Sequence, residues 1–323
     1  MSVRLGIIGT GRIAGRFLSD AWQKLDIQPG PVYNPNSKSA EAFALKHHLA
    51  FGTNDWTVFT KQIDAAYIAS PQQTHGSYIR RLLEDGKHIL CEKPMVLKEQ
   101  EAEELFRIAK EKRIVLMEAV KTAYCPGFKA LLKLVKEGRI GEIRDVEACF
   151  TKLADLESRE LTDRQWGGSL TELGTYVCFA VLKILGCDYE GLQFIVQHNN
   201  QGMDIFTKVL FTYKDNVRTG ISKAGLGVKS EGTLLISGTK GYILVKAPWW
   251  LTRHIEVHYE DPDRYEKYEY PFEGNGLQYE LEYFLKRIWG EQPENQDSEW
   301  ESIRLAGIME RFLESEAGYR RQD

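Results

Sequence analysis

The chain has 323 residues, 43% of them hydrophobic and 27% charged, the balance of an ordinary globular protein with length for about two domains. A formal net charge of −4 without a basic cluster argues against nucleic acid as a partner. No apolar run approaches the roughly 20 residues that cross a bilayer, so no membrane role is expected. The five cysteines (Cys91, Cys125, Cys149, Cys178, Cys187) are scattered, with no CxxC pair. They suit reduced thiols better than a disulfide framework or a zinc site. His47 and His48 are adjacent, and His254 and His258 fall in a strand-like stretch, so no metal site is expected.

Met1-Ser2 leads straight into an apolar strand over residues 3–8. With no basic segment, cleavage site or long apolar run before it, a cytoplasmic protein is expected. The strand enters Gly9-Thr10-Gly11-Arg12-Ile13-Ala14, and Phe17, Leu18, Ala21 and Leu25 continue in helical rhythm. This is G-x-G-x-x-A between a strand and a helix, the context that makes the pattern a dinucleotide-binding turn. Gly9 permits the turn, Gly11 lets the backbone approach a pyrophosphate, and small Ala14 lets helix and strand pack. The helix N-terminus adds N–H donors for phosphate.

A short strand over residues 31–33 follows, then a helix over 37–49 capped by Asn36 or Ser37. Between them stands Tyr33-Asn34-Pro35-Asn36-Ser37-Lys38. An acid there would bind the ribose 2′-hydroxyl of NAD. None is present, and Asn34, Ser37 and Lys38 suit a 2′-phosphate, so NADP is expected ahead of NAD. A strand over 64–69 runs into Ser70-Pro71. A helix over 74–85 turns Tyr78, Ile79, Leu82 and Leu83 to one face and closes at Gly86. A strand over 87–91 comes next. A helix over 98–112 then buries Ala102, Leu105, Phe106 and Ala109, and a strand lies over 114–117. Alternation of this kind predicts an α/β, doubly wound parallel sheet.

The strand at 87–91 runs directly into Glu92, Lys93 and Pro94. Proline ends the strand, and a lysine at such a mouth can be desolvated and used chemically. The alternative is a solvated Glu-Lys turn.

From residue 121 the pattern changes. A helix over 128–136 precedes strand-like stretches over 142–152, 191–198, 205–213, 216–222, 232–237, 241–246 and 255–259, and helices return over 276–289 and 299–316. A large, mostly antiparallel sheet is expected. The domains are thus 1–120, a Rossmann dinucleotide-binding domain, and 121–323, an α+β domain for substrate and oligomerisation. Tyr213, Trp249, Trp250 and Tyr259 suit burial against a second subunit, unless they are core. Glu172 and Tyr176 are four apart on one helix face. Each has a plain alternative, a capping or solvated carboxylate and a tyrosine filling the core.

The glycine turn, Ser70-Pro71-Gln72-Gln73-Thr74-His75 and Glu92-Lys93-Pro94 come in this order, followed by Met117-Glu118-Ala119, Trp166-Gly167-Gly168-Ser169-Leu170 and Gly238-Thr239-Lys240-Gly241. Over its whole length the chain resembles the Gfo/Idh/MocA oxidoreductases. The resemblance implies hydride transfer between a nicotinamide and a carbinol carbon of a sugar, polyol or dihydrodiol. It implies that Lys93 meets substrate and nicotinamide, and that Pro94 shapes the cofactor site through a cis bond. Ser70, Pro71 and His75 would lie along the cofactor, although His75 also suits a purely local backbone role. Thr10, Arg12, Ile13 and Glu92 join the cofactor-facing set. Many relatives carry Asp and His where this chain has Glu172 and Tyr176. The tyrosine resembles the glucose–fructose oxidoreductase and dihydrodiol dehydrogenase branch, where it is the proposed acid/base. A free tyrosine titrates near 10, and a neighbouring Lys93 ammonium would favour its phenolate. Lys121 and Trp166 are candidate substrate contacts. Family members pair through the large sheet, so a homodimer or homotetramer is expected. The rival reading is a non-catalytic NAD(P)-binding regulator.

Overall fold

Parallel strands buried on both faces need near-continuous apolar runs, and the first third of the chain supplies them. The computed structural model describes residues 2–21, 25, 27–155, 157–214, 217–291 and 299–317. Strands β1 (Val3–Ile8), β2 (Ile27–Tyr33), β3 (Gly52–Thr53), β4 (Ala65–Ile68), β5 (His88–Glu92) and β6 (Leu116–Ala119) form one sheet. Its order is β3-β2-β1-β4-β5-β6, and every neighbouring pair is parallel. The order reverses between β1 and β4, which opens a crevice beyond their C-terminal ends. Helices α1 (Arg12–Asp20), α2 (Ser37–His47), α3 (Trp56–Thr60), α4 (His75–Glu84) and α5 (Glu99–Glu111) make the connections.

Three details differ from the sequence expectation. The two-residue β3 and the five-residue α3 carry too short a pattern to read, and α3 depends on Asp55, whose Oδ1 accepts from Val58 N at 3.0 Å. β6 starts two residues later than expected. Arg113 is left-handed at φ 57° and Ile114 N donates back to Ala109 O at 2.8 Å, so the end of α5 consumes these residues.

The second sheet holds β7 (Ile143–Thr151), β8 (Tyr189–His198), β9 (Asp204–Tyr213), β10 (Thr219–Gly225), β11 (Leu234–Gly238), β12 (Gly241–Val245), β13 (His254–Tyr259) and β14 (Tyr265–Glu269). Its order is β14-β13-β12-β11-β7-β10-β9-β8, antiparallel except for the parallel pair β7–β10. Edge strand β14 escaped the sequence because none of its residues is buried, which leaves no apolar alternation to detect. Asn216, the expected start of one strand, lies outside the described residues. Helices α6 (Pro126–Lys136), α7 (Arg159–Thr162) and α8 (Ser169–Leu185) accompany this sheet, and α9 (Leu277–Ile288) and α10 (Glu299–Ser315) close the chain. The short α7 was not expected.

The chain divides into two units. One is Met1–Tyr124 with Gly274–Ile303, the other Cys125–Glu273 with Arg304–Asp323. Helix α9 thus belongs with the parallel sheet, although it follows the second sheet in sequence. Two of the aromatics expected at a subunit interface are core of the chain itself. Trp249 is 0% exposed, with its indole N–H on Cys149 O at 2.8 Å. Tyr213 is 1% exposed and donates to Gly186 O at 3.0 Å. No helix among the described residues is long and apolar enough to cross a membrane.

Candidate active site

In the first unit, the turn from β1 to α1 has the geometry a dinucleotide needs. Gly9 sits at φ +106°, and a Cβ there would meet Ala69 O at 2.6 Å. Its N–H donates to Tyr33 O at 3.0 Å, tying β1 to the end of β2. Gly11 caps α1 without a side-chain bond, and a Cβ built on it meets nothing within 4 Å. The space at the Gly11 Cβ position is therefore open at the start of the helix, next to Thr10 and Arg12, which suits the approach of a pyrophosphate. Asn34 Nδ2 donates to Thr10 Oγ1 at 2.8 Å, and Asn34 Oδ1 accepts from Asn36 N at 2.9 Å. Asn36 is the cap of α2, accepting from Ser39 N at 3.1 Å. Ser37 and exposed Lys38 begin that helix, which has no acid in its first turn.

The Lys93-Pro94-Met95 turn at the end of β5 is held at three consecutive residues. Glu92 Oε2 accepts from Lys93 N at 3.3 Å. His75 Nδ1 lies 3.0 Å from Pro94 O. Glu118 Oε1 accepts from Met95 N at 2.9 Å. The Lys93–Pro94 bond is cis. Glu92 is itself oriented by the Tyr67 hydroxyl, which donates to Oε1 at 2.5 Å. Tyr67 is fully buried and stacked on Phe17 at 3.7 Å. The sequence reading overlooked Tyr67, whose signal was a hydroxyl inside a strand buried on both faces. The second ring nitrogen of His75, Nε2, is 2.9 Å from Ser70 O, so the ring bridges the Ser70-Pro71 segment to Pro94. Burial lowers its pKa, opposed by the hydrogen bonds to the Ser70 and Pro94 carbonyls. Ser70 Oγ pairs with Thr74 Oγ1 at 2.7 Å. Lys121 donates through Nζ to Asn275 O at 2.7 Å.

Burial pushes Glu118 up to about 7. An unfolded glutamate releases its proton near 4.3, so the sign is determined. Folding gains nothing from Glu118 at acid pH, loses stability as pH rises from about 4 to about 7, and bears the full loss above that. Glu118→Gln keeps an oxygen for Met95 N and removes the loss. Its gain in unfolding free energy over wild type should be larger at pH 8 than at pH 5 by on the order of 2–3 kcal/mol, read from denaturant unfolding at each pH. Equal gains at both pH values would refute the assignment.

In the second unit, α8 begins where Asp204 of β9 caps it, Oδ2 accepting from Leu170 N at 2.9 Å. Between Ser169 and Leu182 every residue of α8 is buried except Glu172 and Tyr176. One turn apart, they are the side chains this stretch of helix presents outward. The Tyr176 ring is 5.4 Å from that of Phe150, which stacks on Trp250 at 3.5 Å. Phe150 and Trp250 were not singled out as site residues, being 100 residues apart in sequence. Trp166 is half-buried in the loop before α8, its backbone N–H on Asp163 Oδ1 at 3.1 Å. Among the described residues no group of His, Cys, Asp and Glu is arranged to hold a metal.

Residues 3–120 match the oxidoreductase family with an NAD-binding Rossmann fold, and residues 128–244 match the Gfo/Idh/MocA C-terminal domain. The chain belongs to the Gfo/Idh/MocA family. It is 29% identical over 323 residues to scyllo-inositol 2-dehydrogenase (NADP(+)) IolU of Bacillus subtilis (strain 168), covering 95% of each chain. It is 28% identical to human trans-1,2-dihydrobenzene-1,2-diol dehydrogenase, covering 90% of this chain and 88% of that one. In fold it is similar to the 3-ketoreductase KijD10 of Actinomadura kijaniata, solved with NADP and TDP-benzene, at a TM-score of 0.81 and 23% identity over 96% of both chains. Like these Gfo/Idh/MocA proteins, the chain is an NAD(P)-dependent oxidoreductase.

Proposed function

We propose that the enzyme transfers hydride reversibly between NADP and a ring carbinol of a small cyclic polyol, sugar or dihydrodiol. The observation that carries this is the Lys93 turn, tied at Lys93, Pro94 and Met95 by Glu92, His75 and Glu118. Such convergence fixes the backbone from which the Lys93 side chain projects, and a preorganised amine is what alkoxide stabilisation requires. Two relatives act, by name, on an inositol and on a dihydrodiol, which supports a cyclic substrate bearing neighbouring hydroxyls. The Phe150–Trp250 wall beside Tyr176 suits the C–H face of such a ring.

When bound, NADPH supplies hydride from C4 of its nicotinamide. Gly9, Thr10, Gly11, Arg12 and Ile13 would hold its pyrophosphate. Asn34, Ser37 and Lys38 would hold the 2′-phosphate, and Ser70, Pro71, His75 and Pro94 the nicotinamide side. In the reducing direction the carbonyl oxygen gains negative charge as its carbon receives hydride. Lys93 stabilises that charge and Tyr176 donates the proton that completes the hydroxyl. Glu92 orients Lys93, Glu172 orients the substrate's other hydroxyls, and Lys121 and Trp166 flank the ring. In the oxidising direction the same proton returns to Tyr176. A regulator that only binds NADP needs no such acid/base set.

One face of the large sheet carries Leu210, Ile221, Glu147, Leu235 and Leu244 in register across five strands, all partly exposed. This row supports pairing with a second copy of the chain as a homodimer or homotetramer. The test is a panel of inositols, sugars and trans-dihydrodiols followed by NADPH absorbance, with the enzyme's mass read by light scattering. Turnover of at least one ring substrate, tighter NADPH than NADH binding and a mass of two or four chains are expected. Tight NADPH binding without turnover across the panel would favour the regulator. A monomer would remove the pairing.

A further inference from the structure

The proposed hydride transfer leaves Glu280 unused. It lies on α9 in the apolar stripe of Leu277, Leu281 and Phe284 and is 0% exposed. Neither of its carboxyl oxygens has a hydrogen-bond partner among the described residues. Helix α9 packs against β5, against α1 and against the 3-10 turn Lys121–Tyr124. The charged groups acting on Glu280 are Glu92 from β5 and Lys121 from the turn. On the same elements Cys91 is a buried thiol, and the Tyr124 ring sits 4.6 Å from that of Tyr283. Asp20 of α1 accepts from Asn275 N at 2.9 Å. Lys121 Nζ donates to Asn275 O rather than to the Glu280 carboxyl.

An ionised carboxylate without a donor or solvent costs far more than the neutral acid. Two carboxyls that share one buried site do not both ionise readily, and the first to lose its proton makes the second hold on. Glu92 has the donors, from the Tyr67 hydroxyl and Lys93 N. Glu280 has none, so the proton stays on Glu280.

We propose that Glu280 is a positioning residue for Lys93, standing as a neutral acid behind ionised Glu92 so that the two carboxyls carry one proton and one charge. The inference rests on Lys93 being the group at the reacting oxygen. With a single negative charge beside it, Lys93 is oriented without being locked into a carboxylate cage. Were Glu280 to lose its proton, a second charge would stand behind Glu92 and draw on Lys93 and Lys121.

Infrared spectra of the full-length enzyme, taken above the pH at which Glu118 has ionised, test the proton directly. A protonated-carboxyl C=O band is expected in wild type and in Glu118→Gln, and its loss in Glu280→Gln. The alkaline limb of the kcat/KM pH profile should move in Glu280→Gln, while the limb that Tyr176 imposes remains in both enzymes. No band in wild type, a band that survives in Glu280→Gln, or an unchanged profile overturns the proposal. If Lys93→Met keeps wild-type kcat/KM, the reading of Lys93 fails and the positioning role fails with it. A missing band alongside an inactive Lys93→Met overturns the role of Glu280 alone.

Discussion

Lys93→Met should lower kcat/KM on the enzyme's ring substrate by about 10²–10⁴-fold, the range for loss of a group that acts on proton or charge in the transition state. Methionine keeps an unbranched side chain out to the ε position and removes the ammonium. The turn's hydrogen bonds run through the backbone of Lys93, Pro94 and Met95 and do not need the amine, so folding should survive. Tyr176→Phe removes one hydroxyl from a half-buried ring packed beside Phe150 and should cost a similar factor in kcat/KM. A role in binding alone would raise KM with kcat unchanged, whereas proton handling lowers kcat. Circular dichroism and the melting temperature separate either result from misfolding. Wild-type kcat/KM in both variants would remove the proposed chemistry.

Substitution at the two glycines of the dinucleotide turn should separate folding from cofactor binding. Gly9→Ala forces a side chain into a left-handed backbone, with its Cβ 2.6 Å from Ala69 O. Strain of about 1–3 kcal/mol for the backbone and a further 1–3 for the overlap are expected, enough to unfold a marginal domain. The Cβ of Gly11→Val meets nothing within 4 Å, and the φ of −82° suits any residue. Its melting temperature should stay near wild type while the Kd for NADPH rises by an order of magnitude or more, as the side chain fills the approach to the helix N-terminus. Titration of NADPH fluorescence and thermal unfolding read the two effects apart. An unchanged Kd in Gly11→Val would place the dinucleotide elsewhere.

Two kinds of information were legible in the amino-acid order. Repeating apolar spacing marked the longer strands of both sheets and the longer helices, because a buried face imposes a period on its own segment. Residues whose chemistry is local were legible too. Gly9 needs its φ, Asn36 caps the helix it precedes, and Pro94 ends β5. Glu172 and Tyr176 could be paired from their spacing, since four residues make one helical turn.

What the sequence left open is what depends on segments that meet only after folding. Lys121 and Asn275 are 154 positions apart, so nothing near either predicts their bond. Glu280 reads as a solvated helix glutamate until α9 packs against β5, although its place on the apolar stripe was a signal. Tyr67 and Phe150 carry no mark of their partners, Glu92 and Trp250. Trp249 and Tyr213 were left open between interface and core and are core, because an aromatic's surroundings are set by the chain that folds over it. The amino-acid order by itself determined the two-sheet architecture and the glycine turn, written in local period and backbone preference, and the ordered motifs carried the resemblance to the family. Only the tertiary structure decided which carboxyls are buried, which of them are supplied with donors, and what holds the Lys93 turn. Desolvation and hydrogen bonding act between neighbours in space, and those neighbours here are remote in sequence.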